Sequence, residues 1–216
     1  DFWVRGRLAD NPSGGPVSGD AEFFDFRWID GHIVVDRDIW GGSSRDWGIS
    51  LAAGRVRFGT GRADQSPADQ EHTAEGSTNV LDDTWRHIAC VRDAISGVKS
   101  IYVDGSLDYS TPPGRSLDDI SYPDAGDPTP NTPWGPYIVL AAEKHDAGSA
   151  YPSFTGYMDE VRVWSRALTG AQVHAIHRRV LTPGEPAAAG LAGYFRFEEA
   201  GGTAINDSSG SGQSAG

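Results

Sequence analysis

Apolar and polar side chains alternate in short runs along much of the chain. In the clearest run, apolar residues at every second position (Trp47, Ile49 and Leu51) precede a turn at 52–54, and 55–58 then reads Arg-Val-Arg-Phe. A period of two places alternate side chains on opposite faces of a β-strand. The pattern therefore predicts a β-hairpin with one apolar face and one face that carries the arginines.

The same alternation recurs in other segments, separated by Gly, Pro, Asn, Asp and Ser. Residues 98–103 lead into Asp104-Gly105, a dipeptide that favours tight turns because both residues tolerate positive φ. Residues 137–142 form a continuous apolar run, which is typical of a strand covered on both faces. Further alternating sets are Phe2, Val4 and Leu8; Phe24, Phe26 and Trp28; and Ile33 with Val35. Together these segments predict an all-β fold of antiparallel strands.

One segment has helical spacing instead. Thr169 and Gln172 occupy the N-cap and N3 positions of a capping box. The apolar residues that follow at helical spacing are Val173, Ile176 and Val180. We predict a short helix that buries these three side chains and ends at the Thr-Pro-Gly sequence 182–184. His174 and His177 flank the apolar stripe, so we expect them on a solvated edge rather than at a metal ion.

The composition is consistent with one large β-sandwich. The chain has 216 residues, among them 28 Gly and 13 Pro, and single all-β domains often reach roughly 200–250 residues. Cys90 is the single cysteine, which excludes an intrachain disulfide. Because Cys90 lies in an apolar segment, we interpret it as a small buried side chain rather than a nucleophile, and we expect nearby His87 to make a structural hydrogen bond. No stretch of the sequence is apolar enough to insert into a membrane.

The charge balance excludes one class of partner. With 30 acidic and 18 basic residues, the formal net charge is -12. A negative field repels phosphate backbones, and the sequence has no basic run interleaved with aromatic residues, so we exclude nucleic acid. Two interpretations of the acidic excess stay open. It provides solubility, or it binds a hard cation such as Ca²⁺, which takes oxygen ligands.

Segment composition indicates where the domain ends. We place a β-sandwich at 1–182, a Pro- and Ala-rich linker at 183–190, and a strand with a Gly/Ser-rich loop at 191–216. The last part either completes the same sandwich, because chain termini often lie close together, or begins a following module. Residues 61–79 and 110–136 are predicted as long loops, and loops of that length often carry function.

Three motifs occur in a characteristic order and spacing. They are DDTWRHIACV at 82–91 with IYVDG at 101–105, FTGYMDEVRVW at 154–164 with RALT at 166–169, and GLAGYFRFEE at 190–199 with DSSG at 207–210. Together they resemble the laminin-G-like and pentraxin-like branch of the concanavalin A-like lectin/glucanase superfamily, over roughly residues 1–180. One departure is that the DSSG motif, which often opens a module of that family, lies at the end of this chain.

The resemblance implies a jelly-roll sandwich of two curved antiparallel sheets with one short helix. It also implies a secreted or cell-surface protein whose partner is a carbohydrate or glycoconjugate, with calcium as an assisting ion. We therefore expect a non-catalytic carbohydrate-binding or adhesion module of a larger, multidomain chain. Two other classes stay open, namely a structural or protein–protein adhesion spacer and a polysaccharide hydrolase or lyase.

The carboxylates of the third motif bear on the enzyme alternative. Retaining and inverting glycosidases need two carboxylates that face one sugar. Asp159 and Glu160 are the nearest candidates, but adjacent residues of one strand point to opposite faces. We therefore predict that the chain is not an enzyme and assign it no catalytic residue.

Aromatic residues in loops are the candidate sugar-binding side chains. Aromatic rings stack on sugar faces while polar groups fix the hydroxyls, and strand aromatics more often fill the core. Trp40 and Trp134 lie in predicted loops, and Tyr151 follows a Gly-Ser-Ala sequence. We predict that these three residues bind carbohydrate. Trp47 is a fourth candidate, for which core packing is the alternative.

Four carboxylates are candidate calcium ligands. The resemblance places Asp207 of the DSSG motif at the sandwich rim, and Glu143 with Asp146 resembles an acidic pentraxin loop that is interrupted here by a lysine and a histidine. Asp159 begins a predicted strand on its apolar face, where an unpaired carboxylate would be costly. The alternative in each case is a carboxylate that caps a turn.

Overall fold

The computed structural model describes residues 1–12, 28–37, 47–60, 73–117, 120, 137–144, 148 and 151–215. The strands in these ranges are β1 (Phe2–Gly6), β2 (His32–Arg37), β3 (Trp47–Ala52), β4 (Arg55–Thr60), β5 (Ala74–Glu75), β6 (Arg86–Asp93), β7 (Val98–Val103), β8 (Ser106–Ser110), β9 (Val139–Leu140), β10 (Gly156–Asp159), β11 (Val161–Trp164), β12 (Leu191–Phe195), β13 (Ile205–Asn206) and β14 (Ser214–Ala215). The α-helix is α1 (Gly170–Ile176), and 3₁₀ turns cover Leu8–Asp10, Trp28–Asp30 and Pro186–Ala188. None of the helices in the described ranges is long and apolar enough to cross a membrane.

The strands form two five-stranded sheets. The first has the order β10-β1-β6-β7-β8 and the second the order β5-β4-β3-β2-β9, while β11 with β12 and β13 with β14 form separate pairs. All pairings between these strands are antiparallel. The predicted all-β sandwich of two antiparallel sheets with one short helix is confirmed.

The main core lies between the two sheets, where their apolar faces pack together. In the β3–β4 hairpin Ile49 pairs with Phe58 and Leu51 with Val56, and these four side chains are at most 6% exposed. The turn at 53–54 has positive φ at both positions, as a two-residue hairpin turn requires. Burying one such side chain contributes about 1.5–3 kcal/mol. The first sheet supplies Phe2, Val4, Ile88, Ile101 and Val103.

A second apolar cluster lies on the outer face of the first sheet, which points away from the main core. On β6, Ala89 alternates with core residue Ile88 and faces outward, where α1 packs over it. The members of this cluster are Ala89, Leu168, Val173, Ile176, Leu181, Ala188 and Tyr194. Tyr194 belongs to β12, which pairs with β11, and Ala188 belongs to the 3₁₀ turn in the segment predicted as a linker. Both segments therefore pack against the sandwich.

Helix α1 begins as predicted but ends early. The Thr169 hydroxyl accepts a hydrogen bond from the Gln172 amide at 3.2 Å, and the Thr169 amide donates to Gln172 Oε1 at 2.9 Å. The capping box is confirmed. The helix ends at Ile176, and Val180 is 57% exposed, so the prediction that Val180 is buried and that the helix reaches the Thr-Pro-Gly sequence is wrong. Arg162 donates to the Ile176 carbonyl at 3.3 Å and so satisfies one of the carbonyls at the helix end.

Two residues that were predicted in strands lie in 3₁₀ turns instead. Leu8 is 42% exposed, whereas Trp28 is buried. The Trp28 indole lies over Gly48 and Gly59, where an added Cβ would come within 2.2 and 2.0 Å of the ring. Because Gly48 and Gly59 have no side chain, the indole fits against the outer face of the second sheet. The other predicted members of that strand, Phe24 and Phe26, lie outside the described residues.

Candidate functional site

Two aromatic side chains project into solvent from the outer face of the first sheet. Tyr157 on β10 pairs with Arg5 on β1, and Trp85 directly precedes β6, the strand on the other side of β1. The two aromatic rings lean toward each other, with centroids 6.4 Å apart and planes tilted by 54°. Trp85 is 42% exposed and Tyr157 66% exposed. Trp85, Arg5 and Tyr157 form a continuous surface, the aromatic row.

The turn before β6 holds Trp85 in place. Asp82 Oδ1 accepts hydrogen bonds from the Thr84 amide at 3.2 Å and from the Thr84 hydroxyl at 2.7 Å, which makes an Asx turn. Asp83 takes a φ of 61°, and its amide donates to the Gly6 carbonyl at 2.9 Å. These hydrogen bonds connect the turn to the end of β1. They therefore fix the backbone position of Trp85 in the absence of a ligand.

The register of β10 sets the position of Tyr157. Met158 packs against the main core, so Tyr157, its neighbour, faces outward. A Cβ at the preceding Gly156 would lie 2.4 Å from the Arg5 carbonyl oxygen and 2.5 Å from the Phe154 ring. Glycine at this position therefore allows β10 to approach β1 and brings Tyr157 close to Trp85.

Ion pairs border the aromatic row. Arg5 Nε donates to Asp83 Oδ1 at 3.0 Å and to the Asp83 carbonyl oxygen at 3.1 Å. The Arg86 guanidinium binds Asp82 on one side and Asp104, at 2.8 Å, on the other. The hydrogen bond from Arg86 lowers the pKa of Asp82 to about 2. The Asp82 carboxylate is therefore ionised at neutral pH and is paired with the Arg86 guanidinium.

This arrangement is suited to hold a sugar ring. The faces of Trp and Tyr rings combine a large apolar area with partial negative charge, and the C–H face of a pyranose is apolar with slightly positive hydrogens. The exposed Arg5–Asp83 pair adds hydrogen-bond donors and acceptors beside the rings. Neighbouring large apolar groups on an exposed surface also favour an interaction site over an inert surface.

Further rings continue the outer face toward α1. The Trp3 and His87 ring centroids are 5.5 Å apart, and those of His87 and His177 are 5.9 Å apart. His87 Nε2 lies 3.0 Å from Asp1 Oδ1, which confirms the predicted structural hydrogen bond. Burial is the largest cause that lowers the pKa of His87 to about 2, so this ring is neutral at physiological pH. His174 is exposed, and its carbonyl oxygen lies 2.7 Å from His177 Nδ1.

The aromatic residues predicted from sequence lie elsewhere. Trp40 and Trp134 are outside the described residues. Trp47 packs against the main core and also lines an open groove of about 1220 Å³, together with Tyr102 and Trp164. Tyr151 is half-buried, and its carbonyl accepts a hydrogen bond from the Gly148 amide at 3.2 Å. Trp47 and Tyr151 thus remain predictions as sugar-binding residues.

Asp207 has a well-defined set of partners. Its carboxylate accepts five hydrogen bonds of 2.8–3.1 Å, from the amides of Tyr194, Ser209 and Gln213 and from the hydroxyls of Ser209 and Ser211. Donors that point at both oxygens leave a cation little room, since their hydrogens would face it. The geometry of Asp207 therefore fits a hydrogen-bonded clasp better than a calcium ligand.

The other predicted calcium ligands are spread over different parts of the fold. Asp146 lies outside the described residues, and Glu143 is buried, with interaction partners of its own. Asp159 ends β10 rather than beginning a strand, which corrects the prediction, and its Oδ1 accepts from the Glu160 amide at 2.8 Å. Burial, followed by the nearby charge of Glu160, raises the pKa of Asp159. The described residues contain no group of three or more His, Cys, Asp or Glu side chains able to hold a metal ion.

The Asp159–Glu160 pair is divided by the backbone. Glu160 takes a φ of 52° and separates β10 from β11, so the two carboxylates do not belong to one strand. Glu160 accepts from the Tyr194 hydroxyl, from Arg162 at 3.3 Å and from Arg196 at 3.2 Å. This carboxylate is committed to a buried network, and Tyr194, Arg162 and Arg196 hold it in place.

The sequence contained a signal for the aromatic row. Tyr157 occupies the polar phase of its strand, next to core residue Met158, and Trp85 follows a turn-forming Asp-Asp-Thr sequence. Exposed aromatic residues that lie next to each other favour a surface site. The register that brings Trp85 and Tyr157 together across β1 connects segments 72 residues apart, and alternation alone does not predict such a pairing.

The fold is shared with solved structures of other proteins. A candidate carbohydrate-binding protein from Bacteroides ovatus matches at 19% identity and a TM-score of 0.55, over 97% of this chain and 54% of that chain. This chain therefore spans about half the length of that protein. The CBM40 of Ruminococcus gnavus IT-sialidase matches at 13% identity and a TM-score of 0.52, over 82% of this chain and 80% of that one, and it has also been solved bound to alpha2,3 sialyllactose.

Other comparisons concern sequence and a more distant fold. A heptameric SAP-like pentraxin from Limulus polyphemus matches at 15% identity and a TM-score of 0.48, over 82% of this chain and 67% of that one. No curated protein has a matching sequence. Residues 29–174 match the Laminin_G_3 family, described as concanavalin A-like lectin/glucanases superfamily. That span is more than half of the chain and contains the first two of the three motifs completely, so the chain belongs to the concanavalin A-like lectin/glucanases superfamily.

Proposed function

We propose that this chain is a non-catalytic carbohydrate-binding module that binds sugar on the aromatic row. The observation that carries the proposal is the exposed Trp85–Tyr157 pair, mounted on neighbouring strands with ion pairs at its border. Because one fold hosts many functions, the argument depends on the site rather than on the superfamily. The structures of the R. gnavus CBM40 with sialyllactose and of the B. ovatus protein support carbohydrate as the class of ligand.

The proposal includes an extracellular setting and excludes catalysis. Modules of this family commonly belong to larger secreted or cell-surface proteins, so we propose that this chain is a module of such a protein. Hydrolysis would need two carboxylates that converge on one sugar. Glu160 is committed to Tyr194, Arg162 and Arg196, which argues against a catalytic role for the Asp159–Glu160 pair.

Calcium assistance is a separate proposal. Its remaining ligands are Glu143, Asp146 and Asp159, since the hydrogen bonds to Asp207 account for that carboxylate without a cation. Calorimetric titration of metal-stripped protein with Ca²⁺ tests it. Heat release with a rise in thermal stability would support calcium binding. The absence of both changes would refute it.

The carbohydrate proposal is tested by removing the two rings. A ligand is first found on a glycan array, and its affinity is then measured by isothermal titration calorimetry for the wild type and for the W85A/Y157A double variant. Each stacked ring is worth about 0.5–1.5 kcal/mol, so the two rings together are worth about 1–3 kcal/mol and we expect the double variant to bind roughly 5- to 150-fold more weakly.

A matched control is available on the other edge of the same sheet. Tyr109 on β8 is 40% exposed, and β8 and β10 are the opposite edges, so Y109A removes a comparable ring far from the aromatic row. Equal affinities for the wild type and W85A/Y157A, or an equal loss in Y109A, would contradict the proposal. Failure to bind any glycan would favour the alternative of a structural or protein–protein adhesion spacer.

A further inference from the structure

We infer that the aromatic row selects neutral sugars and discriminates against acidic ones such as sialic acid or uronic acids. The inference rests on the proposed function and names the ligand class of the same site. It is carried by the ion pairs beside the rings, because they determine which charge a bound sugar meets.

Among the described residues, the arginine of the row and the two arginines close to the row in sequence each have a carboxylate partner. Arg5 pairs with Asp83 at 3.0 Å, Arg7 with Asp10 at 2.8 Å, and Arg86 with both Asp82 and Asp104. Three cations are thus paired with four anions. An acidic sugar placed on the rings would gain attraction from a cation and meet repulsion from its partner carboxylate at nearly the same distance. The formal net charge of -12 adds to this repulsion at longer range.

The Arg5–Asp83 pair is suited to sugar hydroxyls. Arg5 uses only its Nε for Asp83, and within the described residues its two Nη nitrogens and Asp83 Oδ2 have no hydrogen-bond partner. The side chains of Arg5 and Asp83 are 42% and 52% exposed. A hydroxyl both donates and accepts, so neighbouring hydroxyls can accept from Nη and donate to Oδ2 together. A carboxylate only accepts, and it cannot satisfy Asp83.

Asp83 offers a substitution that changes charge without disturbing the turn. Its φ of 61° lies in the left-handed region, which asparagine also adopts readily. In D83N the turn and the hydrogen bond to Arg5 are retained, while the positive charge of Arg5 is no longer compensated. The variant should therefore admit an acidic sugar beside the rings.

The test compares neutral and acidic probes on the full chain. Lactose, cellohexaose, xylohexaose and maltohexaose are the neutral probes, and 3′-sialyllactose and hexagalacturonate are the acidic ones, all titrated at low salt because screening weakens surface charge effects. We expect the wild type to bind at least one neutral probe in a manner that depends on Trp85 and Tyr157. We expect each acidic probe to bind on the order of tenfold more weakly than the best neutral probe.

The variants separate this inference from the proposed function. D83N should shift the ratio of acidic to neutral affinity several-fold toward the acidic probes, whereas D93N, the same change at the far end of β6, should leave the ratio unchanged. Tighter binding of an acidic probe by the wild type, dependent on Trp85 and Tyr157, would overturn the inference and leave the proposed function standing. Absence of any probe whose binding depends on these rings would overturn both, and an equal shift in D93N would remove the role assigned to Asp83.

Discussion

At the scale of single residues, Asp207 shows how a motif residue acquires its role from its surroundings. Its five hydrogen bonds connect the Tyr194 amide in β12 to the loop that ends in Gln213. Burial alone would raise the pKa of Asp207, but the hydrogen bonds from Ser209, Tyr194 and Ser211 together outweigh it and hold the pKa well below its usual range. The carboxylate therefore stabilises the last strands of the chain in its ionised form.

Removing this carboxylate should destabilise the fold. We expect D207A to lower the free energy of unfolding by about 2–3 kcal/mol, because several partly buried donors lose a charged acceptor. Urea unfolding followed by circular dichroism measures the change. S208A is the control, since the Ser208 hydroxyl has no hydrogen bond within the described residues, and it should stay within about 0.5 kcal/mol of the wild type. An equal loss in both variants would argue against the clasp.

The pH dependence of this contribution has a defined sign. A carboxyl group whose pKa is lower in the folded state stabilises the fold above its unfolded pKa, which is about 3.9 for Asp, and loses that contribution as the pH falls toward the folded pKa. The free energy of unfolding should therefore fall more steeply below about pH 4 in the wild type than in D207N. Parallel profiles would contradict this assignment.

Single residues also show what the sequence could and could not predict about the site. His87 and Asp207 stood out in motifs, and both have the hydrogen bonds typical of structural residues. Trp85 and Tyr157 carried a signal in their outward phase, but their contact depends on a register between distant segments. Trp40, Trp134 and Asp146 lie outside the described residues, so their assignments remain predictions.

At the scale of elements, α1 has a start that depends on nearby residues in the sequence and an end that depends on a tertiary contact. Its start depends on Thr169 and Gln172, which lie three residues apart, and was predictable. Its end depends on Arg162, whose guanidinium donates to the carbonyls of Ile176 and Arg179. Arg162 comes from β11, so no pattern within the helix could show that the last carbonyls already have donors. The β3–β4 hairpin, whose two strands pair through residues close in sequence, was predicted from its alternation.

The cap of α1 gives a prediction at this scale. T169A should lower the free energy of unfolding by about 1 kcal/mol, because the Gln172 amide loses its acceptor. Chemical denaturation measures the difference. T182A makes the same change at a threonine whose hydroxyl makes no hydrogen bond within the described residues. It should lower the free energy of unfolding by clearly less. Equal losses would show that the Thr169 hydroxyl does not stabilise the helix start.

At the scale of the whole molecule, the apolar clusters and the proposed binding surface occupy different places. The two apolar clusters lie between the sheets and beneath α1, whereas the aromatic row occupies the part of the outer face near the turn before β6. Substitutions in the row should therefore change binding while the sandwich stays folded. The fold was predictable because its alternation is repeated in many strands, and the row was not because it occurs once.

A thermal-shift measurement tests this separation. A ligand at 100 times its dissociation constant stabilises the folded state by about 2.7 kcal/mol, which for a chain of this size raises Tm by roughly 5–10 °C. We expect that rise in the wild type and in Y109A. W85A/Y157A should melt within a few degrees of the wild type without ligand and should show a clearly smaller rise with it, because the same ligand concentration is fewer multiples of its dissociation constant. A full rise in the double variant would place the binding site elsewhere.

The placement of Trp85, Arg5 and Tyr157 across adjacent strands has a consequence for the kind of glycan that fits. The row is open to solvent rather than enclosed in a pocket, so a polymer can lie across it with sugar units extending beyond the rings. Internal units of a polysaccharide are then as accessible as its terminal unit, and longer chains offer more positions at which the same three side chains can engage.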